Sequence, residues 1–525
     1  MNDRSGRGGP RPGEVRYGRP EGRWVLLATV LGSALAFIDA TVVNIALPRV
    51  GAELGADAAG LQWTVNGYTL SLASLILLGG SLSDRFGRRR IFVLGVSGFA
   101  AASLLCGLAP SIETLIAARV AQGVGGALLT PGALAILETS FRREDRARAI
   151  GAWSGLGGIA GALGPFLGGW LVQVASWRLV FLINLPLAAL VVAVALRHVP
   201  ESRNPQAAGR LDVAGAFAAA AGLAGLTYGF TAWPALGATS GTVLASLALG
   251  AGGLVAFVLA ERRSRHPMLP LEVFRSRAFT AANLVTFAVY AALGGVLFLL
   301  VLALQVVAGF GPLAAGIALL PLTALMLLLS ARAGALAERI GPRLPMTVGP
   351  LVCAAGLVLL SRIGPEASYL RAVLPGVGIL GLGLSLTVAP LTATALGSVD
   401  ERHAGIASGV NNAVARAAGL LAVAVLPLAA GLGAGNLTDP ATLAPIFRTA
   451  MLLCVGLLLA GGAIAFAGIP PRAAAPLEAA GDRAAPRHRA TRAPAPRATP
   501  VRRHCAVAGP PLHPRPGSCD PLPAR

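Results

Sequence analysis

Long apolar runs dominate this chain. A helix that crosses the roughly 30 Å hydrocarbon core of a bilayer needs about 20 mostly apolar residues. Fourteen segments meet that requirement, the first over 24–48 and the last over 447–468. Two are marginal by this ruler: the Gly/Ala-rich 211–231 and the short 345–361, bounded by Pro345 and Pro365. The residues are 55% hydrophobic and 13% charged over a length of 525, with a mean hydropathy of +0.70, which excludes an ordinary soluble domain. The expected class is an all-α polytopic membrane protein.

All 43 basic residues are Arg, and the net charge is +20. In a soluble protein that excess would suggest nucleic acid. Here its distribution points to topology instead, because short Arg-rich loops stay on the cytoplasmic side. With fourteen spans, 35 Arg fall on the side of both termini and 5 on the other, while Arg119, Arg332 and Arg416 fall inside spans. An error of one helix would scramble this asymmetry, so both termini are expected in the cytoplasm. The basic N-terminus runs into a span too long for a signal-peptide core, so no cleaved leader is expected. Cys106, Cys353 and Cys454 sit singly in spans as small apolar residues. Cys505 and Cys519, with His504 and His513, match no zinc spacing. The Pro/Ala/Arg-rich tail, 469–525, is expected to be disordered.

Between the second and third runs lies Gly80-Ser-Leu-Ser-Asp84-Arg85-Phe-Gly87-Arg88-Arg89-Arg90, a tight basic loop bracketed by glycine. It is echoed after the tenth run by Gly334-Ala-Leu-Ala-Glu338-Arg339-Ile-Gly341-Pro-Arg343. The two positions imply six helices (24–197), two inserted helices with their loops (198–278) and six more (279–468), preceded by a basic segment (1–23). Internal repeats around a site at the membrane midplane are how secondary transporters build alternating access.

The chain resembles the fourteen-helix drug:proton antiporter branch of the major facilitator superfamily over roughly 24–468. Several stretches carry the resemblance besides the basic loop. The first span has Leu35-Ala-Phe-Ile-Asp39-Ala-Thr41-Val-Val-Asn44-Ile-Ala-Leu47-Pro48, and the second has Trp63 and Tyr68. The fourth has Arg119-Val-Ala-Gln122-Gly123-Val-Gly125-Gly126. The fifth has Gly151, Gly164-Pro165 and Gly168-Gly169, similar to the antiporter glycine/proline motif, with Ala160 where that motif prefers Gly. Trp177-Arg178 opens the sixth, and Gly409-Val-Asn411-Asn412 with Arg416 lies in the thirteenth. The resemblance implies a pseudo-symmetric 6+2+6 major facilitator fold, a monomer in the cell membrane, and proton-driven export of small hydrophobic or monocationic compounds such as antibiotics and dyes. A facilitator, or an exporter of one metabolite on the same fold, is the alternative.

Physical chemistry supplies the candidate roles. Asp39 stands about 22 Å from the inner end of its helix at 1.5 Å per residue. An ionised carboxylate at that depth is costly unless solvated or paired, and binding a proton relieves the cost. Asp39 is therefore the candidate carrier, taking either a proton or a cationic substrate. Arg119 cannot shed its proton and needs a partner or water inside the bundle; it and the deeper Arg416 complete the coupling set. Gly80, Asp84, Arg85, Gly87 and Arg88 form a candidate conformational switch, with Asp84 able to accept from Arg88 or from a helix N-terminus. Gly164, Pro165, Gly168 and Gly169 allow close approach and bending. Asn44, Trp63, Tyr68, Gln122 and Asn412 are candidate cavity residues. No nucleotide-binding GxxxxGK[ST] and no enzyme-like cluster of His and carboxylates is present, so the expectation is a transporter without cofactor or metal, driven by an ion gradient.

Overall fold

The computed structural model describes residues 15–203, 213–264, 269–399, 404–433 and 437–471. The expected tail beyond residue 471, with its ten Arg, Cys505 and Cys519, lies outside them, as do Arg210, Arg265 and Arg402.

The described chain is built from sixteen α-helices. In order they are α1 (Pro20–Leu54), α2 (Ala58–Phe86), α3 (Arg88–Gly107), α4 (Ile112–Ser140), α5 (Arg146–Val174), α6 (Leu179–Leu182), α7 (Asn184–His198), α8 (Val213–Leu236) and α9 (Gly241–Arg263). They continue with α10 (Arg277–Val306), α11 (Pro312–Ala318), α12 (Leu320–Ile340), α13 (Arg343–Leu360), α14 (Leu374–Gly397), α15 (Ala404–Ala429) and α16 (Pro440–Gly468). Their ends carry ordinary start signals. Asp57 accepts from the Gly60 amide, Ser111 and Thr114 form a capping box, and Pro20, Pro312 and Pro440 occupy first turns, where a missing N–H costs nothing.

Two expected spans are interrupted. The sixth breaks at Ile183 between α6 and α7, and the tenth at Leu319 between α11 and α12. Each break falls just ahead of a proline, Pro186 or Pro321, which cannot donate to the carbonyl four residues back. Helix α2 bends by 53° between Ile76 and Leu78.

Among the described residues, twelve helical segments are long and apolar enough to cross a membrane, thirteen when bent α2 is taken as one. The expected span that is absent from this set is the Gly/Ala-rich 211–231, which corresponds to α8, 24 residues long. Length and apolarity alone thus do not reproduce the count of fourteen. The glycines instead serve contact with α9: a Cβ on Gly225 would lie 2.6 Å from the Gly250 nitrogen, and one on Gly253 2.7 Å from the Gly222 nitrogen. Small residues let backbones approach, which is how helices associate where lipid is as apolar as the side chains.

One set of neighbours occurs twice. Helix α1 packs on α5 and α7, α2 and α3 both pack on α4, and α3 packs on α7. Likewise α10 packs on α15 and α16, α12 and α13 both pack on α14, and α13 packs on α16. The two basic loops match as well. Gly87 ends α2 with φ +112° and Gly341 ends α12 with φ +91°, and each amide donates to the carbonyl four residues back, Ser83 or Ala337. A positive φ favours glycine, so the bracketing glycines of the motif are joints that start the next helix at once.

The first set meets the second at the end remote from the Arg-rich loops. There Gln62 donates to the Val423 carbonyl at 2.9 Å, Gln305 to the Ile45 carbonyl at 3.0 Å, and the Leu313 amide to Gln173 Oε1 at 3.2 Å. Toward the basic loops, a Cβ on Gly151 or Gly155 of α5 would meet nothing within 4 Å.

Candidate functional site

Asp39 and Arg119 are both buried, and Arg119 Nη1 donates to Asp39 Oδ2 at 2.6 Å. Gln122, one turn after Arg119 on α4, stands on the same face. Its Nε2 donates to Asp39 Oδ1 at 2.8 Å, its Oε1 accepts from Arg119 Nη1 at 2.6 Å, and Ser103 Oγ of α3 lies 2.7 Å from Nε2. Arg119 Nε donates to the Thr64 carbonyl of α2 at 3.0 Å, and its guanidinium stands 4.4 Å over the Tyr68 ring. Both carboxylate oxygens of Asp39 therefore accept charge-assisted or amide hydrogen bonds, and the network ties α1, α2, α3 and α4 through one buried charge pair. A lone ion at this depth would be prohibitive; a paired, fully hydrogen-bonded one is tolerated.

A cavity of about 180 Å³ adjoins the network. Its walls come from α1 and α2 on one side and α10 and α15 on the other, with Asn44, Asn66, Thr69, Tyr290, Phe298 and Arg416 among them. Ala40 and Val65 also line it, and they directly follow Asp39 and Thr64 in sequence. Asp39 is thus one residue along α1 from the wall, and Thr64, whose carbonyl accepts from Arg119, is one residue along α2 from it. Asn44 Oδ1, both side-chain polar atoms of Asn66 and Arg416 Nε are buried and lack a hydrogen-bond partner among the described residues.

The basic loop holds a second arrangement. Asp84 accepts from Arg88 Nε at 2.9 Å and Nη2 at 2.6 Å, a local pair one turn apart. Arg85 lies 5.5 Å from the Phe86 ring, and Gly80 faces Pro131 of α4. The N-terminus of α3, exposed by the tight turn at Gly87, is taken by Glu201 rather than Asp84. The Arg89 amide donates to Glu201 Oε1 at 3.1 Å and the Arg90 amide to Oε2 at 3.2 Å. A carboxylate there meets both unpaired amides and the positive end of the helix dipole.

Helix α5 forms the seam between the sets. Gly164 packs on Thr41 and Gly168 on Val42, both of α1. On its other side a Cβ on Gly169 would lie 2.6 Å from the Pro312 carbonyl oxygen, and Gly316 of α11 packs on the Pro165 carbonyl. The glycine/proline motif is therefore a contact between the two sets at their closed end.

The general model of the major facilitator superfamily matches residues 29–423, three quarters of the chain. The chain belongs to the major facilitator superfamily. Among curated members of this superfamily it is 38% identical to the multidrug resistance protein Stp of Mycobacterium tuberculosis, over 76% of this chain and 74% of that one. It is 36% identical to the puromycin resistance protein pur8 of Streptomyces alboniger, over 86% and 92% respectively. Its fold is similar to the inward-facing, unoccupied crystal structure of a bacterial homologue of the human lysosomal transporter Spinster, with a TM-score of 0.60 at 20% identity over 86% of this chain and 97% of that one. It is a multi-pass membrane transporter of small molecules, not an enzyme.

For this major facilitator protein the sequence candidates divide. Asp39, Arg119 and Gln122 come together, with Tyr68 beneath the guanidinium; none of the four lines the cavity. Asn44 and Arg416 line the cavity. Trp63 does not; its ring is 6.2 Å from Tyr228 of α8. Asn412 is exposed and bonds the Ser408 carbonyl at 3.2 Å. Asn66, Tyr290 and Glu201 were not singled out from sequence. Asn66 falls three residues after Trp63, so helical spacing from the second-span motif offered a signal; Glu201 sits in an Arg-rich loop and offered none.

Proposed function

We propose that the chain exports small, largely hydrophobic compounds, drugs and antibiotics among them, in exchange for protons. It works as a monomer of fourteen spans in 6+2+6 order in the cell membrane, both termini cytoplasmic, with the proton gradient as energy source and no cofactor or nucleic-acid partner. Hydrophobic or monocationic drugs are the substrate range inferred from sequence. The recurring neighbour pattern of α1–α7 and α10–α16 supports two six-helix halves, with α8 and α9 as the inserted pair. The resistance proteins named above support drugs as cargo.

The observation that carries the reading is the buried Asp39–Arg119 pair, whose Asp39 adjoins the cavity-lining Ala40 in sequence. Protonating Asp39 removes its charge, and the bonds from Arg119 and Gln122 lose most of their strength. That releases α1 and α2, which carry Asn44, Asn66 and Thr69 of the cavity. Restoring the pair requires the proton to leave. With the termini inside, the closed end described above is the outer one, so this conformation faces the cytoplasm with Asp39 ionised and the cavity ready for cargo. Rocking about the α5 seam would open the outer end, break the pair and admit a proton there.

The test is uptake of a panel of fluorescent hydrophobic compounds into inside-out vesicles energised by a pH gradient alone. Accumulation that collapses when nigericin dissipates the gradient supports antiport. Equilibration at the same rate with or without the gradient would establish the facilitator alternative.

A further inference from the structure

Arg416 is the charged residue among those lining the cavity, and among the described residues it lacks a counter-ion. It sits about 18 Å along α15 from Ala404 at 1.5 Å per residue, well inside a membrane-spanning segment. Among the described residues no carboxylate lines the cavity, no salt bridge involves Arg416, and its Nε is buried without an acceptor. An Arg cannot deprotonate to escape this position, and a charge in the membrane interior is retained at high cost. Asp39, the carboxylate next to the cavity-lining Ala40, is already taken by Arg119 and Gln122. The cavity wall therefore presents a net positive charge, beside unsatisfied amide groups on Asn44 and Asn66 and the apolar surfaces of Tyr290, Leu293 and Phe298.

Resting on the export reading above, we propose that Arg416 is a substrate-binding residue, and that the cavity selects aromatic or otherwise apolar molecules bearing one acidic oxygen group. A phenolate, enolate, carboxylate or sulfonate would accept from the guanidinium while its apolar body fills the remaining wall. A neutral molecule binds by the apolar surface alone. A cation meets Arg416 with no acid to offset the repulsion. The sequence reading, which gave the substrate charge to Asp39, favoured neutral or monocationic cargo; the pairing of Asp39 moves the preference to neutral or monoanionic cargo.

Two probes of one scaffold isolate the charge: neutral 1-N-phenylnaphthylamine and 8-anilinonaphthalene-1-sulfonate, which adds a single sulfonate. Equilibrium dialysis against the purified full chain reads binding without requiring transport, so it stands apart from the vesicle test of export. The wild type is expected to hold the sulfonate about tenfold more tightly than Arg416→Gln, the loss typical of one charge-assisted hydrogen bond. Arg416→Lys should recover most of it. Binding of the neutral probe should agree within about threefold in all three proteins, which also reports that the variants fold. Equal binding of the sulfonate by wild type and Arg416→Gln, or a matching loss of both probes, would overturn the assignment. So would competition against the sulfonate by the monocation rhodamine 123 as effective as that by fluorescein.

Discussion

Arg119 donates to Asp39 at 2.6 Å across the interface of α4 and α1, with the Thr64 carbonyl and Gln122 completing the shell of both ions. Removing one member leaves the other buried and uncompensated. Asp39→Ala or Arg119→Ala should each destabilise the protein by about 3–5 kcal/mol, while the double replacement Asp39→Ala with Arg119→Ala should cost clearly less than the sum. Thermal unfolding of the four proteins in detergent gives the coupling. Additive losses would mean that the pair is not a unit.

Glu201 joins the end of the first helix set to the start of α3. Glu201→Gln keeps the shape and removes the charge at the helix N-terminus. The expected loss is about 1 kcal/mol of stability. Replacing Gly87, whose Cβ would stand 2.8 Å from Glu201 Oε1 on a backbone of φ +112°, should be the harsher change. Unfolding midpoints rank the two; an inert Gly87→Ala would contradict the described turn.

The α5 seam predicts a steric effect on transport. Gly169→Ala pushes a methyl group into Pro312 and Leu313 at the closed end, so the inward-facing arrangement should be disfavoured and uptake into inside-out vesicles should fall severalfold. Gly151→Ala, which meets open space on the same helix, should transport as the wild type does. Equal losses in both would place the effect in helix propensity, not in the seam.

The bonds at that closed end must break if the cavity is to open on the other side. Cysteines at Gln173 and Leu313, joined by a short thiol cross-linker, should stop transport, and a reducible linker should restore it on cleavage. The native Cys106, Cys353 and Cys454 are buried and should not interfere; Cys505 and Cys519 are replaced by Ser in the background used for the experiment. Unimpeded transport in the cross-linked protein would exclude motion at this seam.

Much of this arrangement was legible in the chain, for identifiable reasons. Asp39 and Arg119 stood out because a charge in an apolar run has a cost that sequence displays. That they are partners was not legible, since 80 residues separate them and only the packing of α1 on α4 brings them together. Gly87 and Gly341 announced two matching joints because each motif needs a residue tolerant of positive φ. Trp63, Tyr68, Gln122 and Asn412 do not line the described cavity, because a single sequence does not fix the rotation of a helix that is apolar all round. The breaks at Ile183 and Leu319 could have been read from Pro186 and Pro321, although proline is common enough in spans to weaken that signal. Glu201 was hidden by its loop, where arginines carry the topology and an acid among them reads as solvated.

Substrate-triggered proton efflux from inside-out vesicles, compared between the wild type and Asp39→Asn, tests the central claim most directly. The account predicts that at least one compound accumulated by the wild type triggers efflux, and that Asp39→Asn still binds that compound yet moves no protons. Efflux of equal size from Asp39→Asn would contradict it, and would move the proton site off the buried pair.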